Sequence, residues 1–158
     1  LDIIRLNVSV LVAMTHRFLP QMRERRHGTI INVSSAAGFQ PIPFMATYAA
    51  TKAFVTSFTE AVAEENRPFG IRTMALCPGA TRTNFFAASD ITDPLTVKGE
   101  QSPEEVVKAA LKGLKKGRST VISGWANYIG SVLGKHAPDS VSTRLVGRAL
   151  RPKYQENE

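Results

Sequence analysis

Apolar positions Ile4, Val8, Leu11, Val12, Phe18, Leu19 and Met22 recur near helical spacing and predict a helix over residues 1–26. Pro20 sits inside that period and is expected to kink or break it. Gly28 stops the basic end of the helix, and the β-branched run at 29–34 predicts a buried strand. Gly38, Pro41 and Pro43 mark residues 36–45 as turns, ahead of a long helix over about 46–66. Residues 71–79 predict a second strand closed by Pro78-Gly79, and 80–101 show no period and predict a long loop. Ser102, Pro103 and Glu105 form a helix start, with Ser at the N-cap, Pro at the first helical position and Glu at the third; that helix runs to about Lys116. Residues 119–123 predict a third short strand, and 125–150 a helical region broken at Pro138.

Alternating helices and strands predict an α/β fold, a parallel sheet covered by helices on both faces. Three strands are few for such a sheet, and the first would present an unpaired edge. The chain also opens on Leu1, already inside an apolar helical pattern, so an N-terminal portion is expected to precede it. At 158 residues, 43% hydrophobic and 21% charged, the composition is that of one globular domain and argues against disorder. The longest apolar run, residues 8–14, is far short of the roughly 20 needed to span a bilayer. No signal-peptide layout is present. The lone cysteine, Cys77, excludes an internal disulfide and is expected to be buried rather than reactive; a reducing, cytoplasmic setting is expected. The net charge is +7, and residues 98–153 hold eleven Lys and Arg against four Asp and Glu. Such a surface suits nucleic acid, anionic lipid or a phosphate-bearing cofactor, or is a solvated helical face. No nucleic-acid motif accompanies it, and no nucleic-acid partner is expected. His16, His27 and His136 form no spaced cluster, and no metal site is expected.

The chemistry gathers in "SSAAGFQPIPFMATYAATKAF", residues 34–54. Tyr48 and Lys52 are four apart and share a helix face. An ammonium beside a phenol favours the phenolate and is expected to lower the tyrosine pKa. Ser35, thirteen residues before Tyr48 and at a strand end, can hold a carbonyl oxygen towards it. Ser34 competes for that role at a spacing of fourteen. Together these groups suit proton transfer to a substrate oxygen but supply no redox centre, so a hydride or electron donor must be bound. A serine–lysine acyl hydrolase fails on pattern, since no S-x-x-K and no G-x-S-x-G is present.

"NVSSAAG", "YAATK" and "PGATRT", in this order, resemble the short-chain dehydrogenase/reductase family, and Asn7 in "IIRLNVSVLVAM" stands where that family places an asparagine. The resemblance covers nearly the whole chain. It implies that Tyr48 is the general acid/base, that Lys52 tunes it and binds the nicotinamide ribose, that Ser35 orients the substrate oxygen, and that Asn7 holds a water in the relay to Lys52. It implies further that Pro78 and Gly79 let the backbone approach the nicotinamide, with Thr81 and Thr83 meeting the carboxamide or phosphate region. The cofactor would be NAD or NADP and the substrate a carbonyl or alcohol. The Gly-rich cofactor turn is absent, as are the residue that selects NAD or NADP and an Asn-Ala-Gly segment. The chain therefore reads as the second half of a Rossmann-like doubly wound sheet with a helical extension: one partial domain, core 1–123 and extension 124–158. A catalytically inactive, truncated chain that dimerises through its long helices is the alternative, and the family commonly forms homo-oligomers.

Phe85, Phe86, Ile91 and Leu95 in the long loop lean towards a hydrophobic substrate. Trp125, Tyr128, Ile129, Val132 and Leu133 form an apolar stripe, expected to pack over the substrate loop or else to serve as a lid or membrane-surface contact.

Overall fold

The computed structural model describes residues 1–83, 100–136 and 138–155. Three parallel strands, β1 (Gly28–Val33), β2 (Ile71–Cys77) and β3 (Thr120–Ile122), form one sheet in the order β1-β2-β3. Gly28 pairs with Ile71 and Val33 with Leu76; Ala75 pairs with Thr120. The chain is an α/β protein of Rossmann-like type. β2 is buried throughout except Arg72, as a central strand should be. β1 departs from expectation: Thr29, Ile31 and Val33 are exposed, because it is an edge strand and one of its faces carries no covering layer among the described residues.

The N-terminal helix runs through α1 (Asp2–Ile4), a π-helical stretch at Arg5–Val10 and α2 (Leu11–Glu24). Pro20 does not break it. Pro20 and His16, whose carbonyl loses its helical donor, are both exposed, so water can take the missing bond. α3 (Ala46–Asn66) is tied to the sheet by a buried polar contact, Asn32 Nδ2 donating to Thr59 Oγ1 (3.0 Å), and to α2 by Asn66, fully buried, which accepts from Arg23 Nε (2.6 Å). α4 (Pro103–Lys115) begins with a complete capping box, Ser102 Oγ accepting from Glu105 N and Glu105 Oε2 from Ser102 N. Its inner face packs Val106 and Ala110 onto Met74, Leu76 and Val121. α5 (Trp125–His136) and α6 (Asp139–Gln155) follow. Leu150 of α6, with Val146 beside it, packs on Ile42, Met45 and Ala49, fixing the C-terminal helices to the segment between Ser35 and Tyr48. No helix among the described residues is long and apolar enough to cross a membrane.

Candidate active site

β1 and β2 end side by side. Ser34 N donates to Leu76 O (2.7 Å) and Ala36 N to Pro78 O (2.8 Å), so the pairing continues past both strands and holds Ser35 opposite Pro78. Ser35 then caps a 3-10 turn, Ala36–Phe39, accepting from Ala37 N at 3.1 Å. Gly38 in that turn lies against α3: a Cβ there would stand 2.7 Å from the Lys52 carbonyl carbon and 2.8 Å from Ala53 N. Only a glycine lets the turn seat on the helix at the turn that carries Lys52.

The two serines separate cleanly. Ser34 is buried; it donates to the Lys52 carbonyl (2.7 Å) and shares a hydrogen bond with Thr56 Oγ1 (2.8 Å). Its hydroxyl is spent on strand–helix packing. Ser35 is half-buried at the cleft wall and hydrogen-bonded to Tyr48. Lys52, one turn along α3, places Nζ 5.7 Å from the Tyr48 ring centroid and donates to Val33 O (3.0 Å). Burial raises the Tyr48 pKa above its ordinary value, and the Ser35 hydrogen bond works against this. Burial also lowers the Lys52 pKa, opposed by the nearby Cys77 sulfur. The expectation that Lys52 pulls the phenol down is thus corrected: desolvation leads, and the ammonium is aimed at a strand carbonyl. Cys77 is buried, its thiol pushed up by that burial.

Asn7 lies in the π-helical stretch, and its Nδ2 donates to Thr51 Oγ1 (3.0 Å), which donates to Tyr48 O (2.8 Å). It therefore braces the turn of α3 between the phenol and the ammonium. A stretch of this kind re-aims a side chain without ending the helix.

A cleft of about 620 Å³ opens at these strand ends, walled by Ser35, Tyr48 and Lys52, by Pro78, Gly79, Thr81 and Thr83, and by Val106 and Val107 of α4. Thr81 Oγ1 donates to Gly79 O (3.0 Å), and Thr83 Oγ1 reaches Thr81 O at 3.4 Å. Gly79 is needed for a reason the sequence did not give: a Cβ there would collide with the Asn127 side chain, which is pinned to Ser123 O at 2.9 Å. Asn127, Gly130, Ser131 and Gly134 form the inward face of α5, the first three lining the cleft and Gly134 packing on Gln40, another cleft residue. The spacing i, i+3, i+4, i+7 of polar and small residues was the available signal. The apolar stripe of the same helix is exposed, Trp125 79% and Leu133 65%; the loop that it was expected to pack over lies, for residues 84–99, outside the described residues. Phe85, Phe86, Ile91 and Leu95 lie outside the described residues. Among the described residues no group of three or more His, Cys, Asp or Glu is placed to hold a metal.

The profile described as short chain dehydrogenase matches residues 1–93. The chain belongs to the short-chain dehydrogenase/reductase family. It is 32% identical over 123 residues to 7beta-hydroxysteroid dehydrogenase of Clostridium sardiniense, covering 78% of this chain and 47% of that protein. It is 37% identical over 109 residues to the human very-long-chain 3-oxoacyl-CoA reductase, covering 69% of this chain and 33% of the relative. The fold superposes on a short-chain dehydrogenase from Sphingobium yanoikuyae in complex with NADPH with a TM-score of 0.69 and 33% identity, over 75% of this chain and 46% of that one. The chain thus spans half or less of the length of these proteins.

The cleft lies at the carboxyl ends of parallel strands, where such sheets take their ligands. The Lys52 ammonium as donor, and the Thr81 and Thr83 hydroxyls as acceptors, fit the nicotinamide ribose end of a dinucleotide. No Gly-rich turn in this sequence fits the pyrophosphate.

Proposed function

We propose that these residues are the proton-transfer half of an NAD- or NADP-dependent oxidoreductase acting on a hydrophobic carbonyl or secondary alcohol, with residues 1–123 as core and 124–158 as an extension walling the cleft. One observation carries the reading: Tyr48, hydrogen-bonded to Ser35 and one helical turn from Lys52, stands at the wall of a largely apolar cleft. The bound nicotinamide supplies or accepts the hydride. Ser35 donates a hydrogen bond to the substrate oxygen and holds it towards the phenol. Tyr48, kept protonated by burial, gives its proton to that oxygen during reduction and takes it back during oxidation. Lys52, which donates to Val33 O, has further N–H donors with which to hold the nicotinamide ribose beside the phenol. Asn7 holds α3 in register through Thr51.

Apolar walls from Val106, Val107, Ile42 and Met45 suit a bulky apolar substrate. The two relatives compared above act, by their names, on hydroxysteroids and on 3-oxoacyl-CoA, both of that kind. Tyr48→Phe, assayed in the protein as isolated from its source, is expected to lose turnover by a factor of about 10² or more and to keep cofactor affinity. Turnover near normal in that variant defeats the assignment.

A further inference from the structure

Two polar side chains in the cleft wall have no part in the chemistry described above, Gln40 and Ser131. They are neighbours in the fold. Gln40 follows the Ala36–Phe39 turn, and its side chain lies over Gly134, where a Cβ would stand 2.5 Å from Oε1. Ser131 precedes Gly134 by three residues and shares its face of α5. Ser131 is 5% exposed and has no hydrogen-bond partner among the described residues. Gln40, half-buried, has none there either. The buried serines nearby differ: Ser34 bonds to Lys52 O and Thr56, and Ser123 donates to Gln101 Oε1 at 2.7 Å. Polar groups set into the wall of an apolar cleft fix the orientation of what binds there.

The pair stands apart from the cofactor end. Asn127 lies on Gly79, beside the groups that fit the nicotinamide ribose, while Ser131 and Gly134 come later on the same face of α5. With a rise of about 1.5 Å per residue, they lie about 6 and 10 Å beyond Asn127 along the helix. The pair is therefore placed for the substrate. Gly130 lies between, and a Cβ there would meet open space, so a ligand has room to run along this wall. Of the cleft-lining residues among those described, only Lys52 carries a full charge, and it stands at the Tyr48 end. A carboxylate or phosphate brought to Gln40 and Ser131 would be desolvated with no counter-charge, which is costly. A carboxamide and a hydroxyl each offer a donor and an acceptor. A ligand hydroxyl, which donates and accepts at one atom, satisfies both. We propose that Gln40 and Ser131 form a specificity subsite for a second hydroxyl, remote from the reacting carbonyl, on an otherwise apolar substrate. A substrate whose far end is hydrocarbon leaves both side chains unpaired and is disfavoured. This rests on the carbonyl-reductase reading of the cleft.

The test compares matched pairs of straight-chain ketones of increasing length, each with and without a hydroxyl on its far terminal carbon. Reduction is assayed in the protein as isolated from its source, with reduced cofactor in excess. At one chain length the hydroxyl is expected to raise kcat/KM about tenfold, mainly through KM. Ser131→Ala, and separately Gln40→Met, should bring that ratio close to one. A general loss of activity lowers both members of a pair and leaves the ratio as it was, so the ratio reads the subsite alone. A ratio near one at every length in the unaltered protein overturns the proposal. So does a ratio that survives both substitutions. A raised KM for the cofactor with the ratio unchanged assigns the pair to the nicotinamide and overturns it as well. All three outcomes leave the carbonyl-reductase reading standing. Failure to reduce any of the ketones defeats that reading and the subsite together.

Discussion

Ser34 donates to the Lys52 carbonyl and meets Thr56 in a buried contact, so Ser34→Ala should lower stability by about 1 kcal/mol and leave turnover nearly unchanged. Ser35→Ala gives up a turn cap of similar worth, but should also cut turnover by about 10²-fold; parallel melting curves and rate assays separate the two. The same side chain shapes the pH profile. With its pKa raised, Tyr48 stays protonated through neutrality, so the reduction rate should hold there and fall only as alkali takes the phenol's proton. Ser35 opposes that rise; in the residual activity of Ser35→Ala the alkaline limb should move to higher pH, read from kcat/KM against pH. At this scale the sequence showed which residues would meet at one cleft, because hydroxyl, phenol and ammonium stand at spacings that a strand end and a helix face bring together. It did not show the direction of the Tyr48 shift. That depends on how much water the assembled cleft excludes, and a spacing carries no information about it.

The elements were legible where local signals agree. α3 runs from 46 to 66 as its period requires, and the Ser102–Glu105 capping box formed as written. Pro20 misled because the cost of a proline depends on whether water can reach the orphaned carbonyl, and on an exposed face it can. The π-helical stretch at Arg5–Val10 left no mark in the pattern of apolar residues, yet it aims Asn7 at Thr51. Asn7→Ala should therefore lower the melting temperature by a few degrees, in keeping with one lost, partly buried hydrogen bond, and slow turnover through displaced α3 geometry. Asn7→Asp, which replaces the amide donor with a carboxylate, should not rescue it. α5 was read by its apolar face, whereas the face that meets the cleft is the small and polar one, Asn127, Gly130 and Ser131.

For the whole molecule, the α1–α2 helix turns Leu6, Val10, Met14 and Phe18 outward at intervals of four, exposed by 67%, 43%, 50% and 46%. A continuous apolar face of this kind is expected to be covered by a second copy. Phe18→Glu should move the protein to a smaller species in size-exclusion chromatography, whereas a monomer before and after the change rules out pairing through this face. Gly38 also has a meaning beyond the site it sits in. It presses the Ser35 turn onto the peptide joining Lys52 to Ala53, so two segments distant in sequence share one contact too tight for a methyl group. Gly38→Ala should cost about 1–3 kcal/mol, the usual penalty for overpacking. In the unaltered protein the Ala53 amide is roofed by that turn, and deuterium should enter it among the last. The slowest-exchanging part of the chain would then be the frame of the proton-transfer site, its rigidity set by one missing side chain.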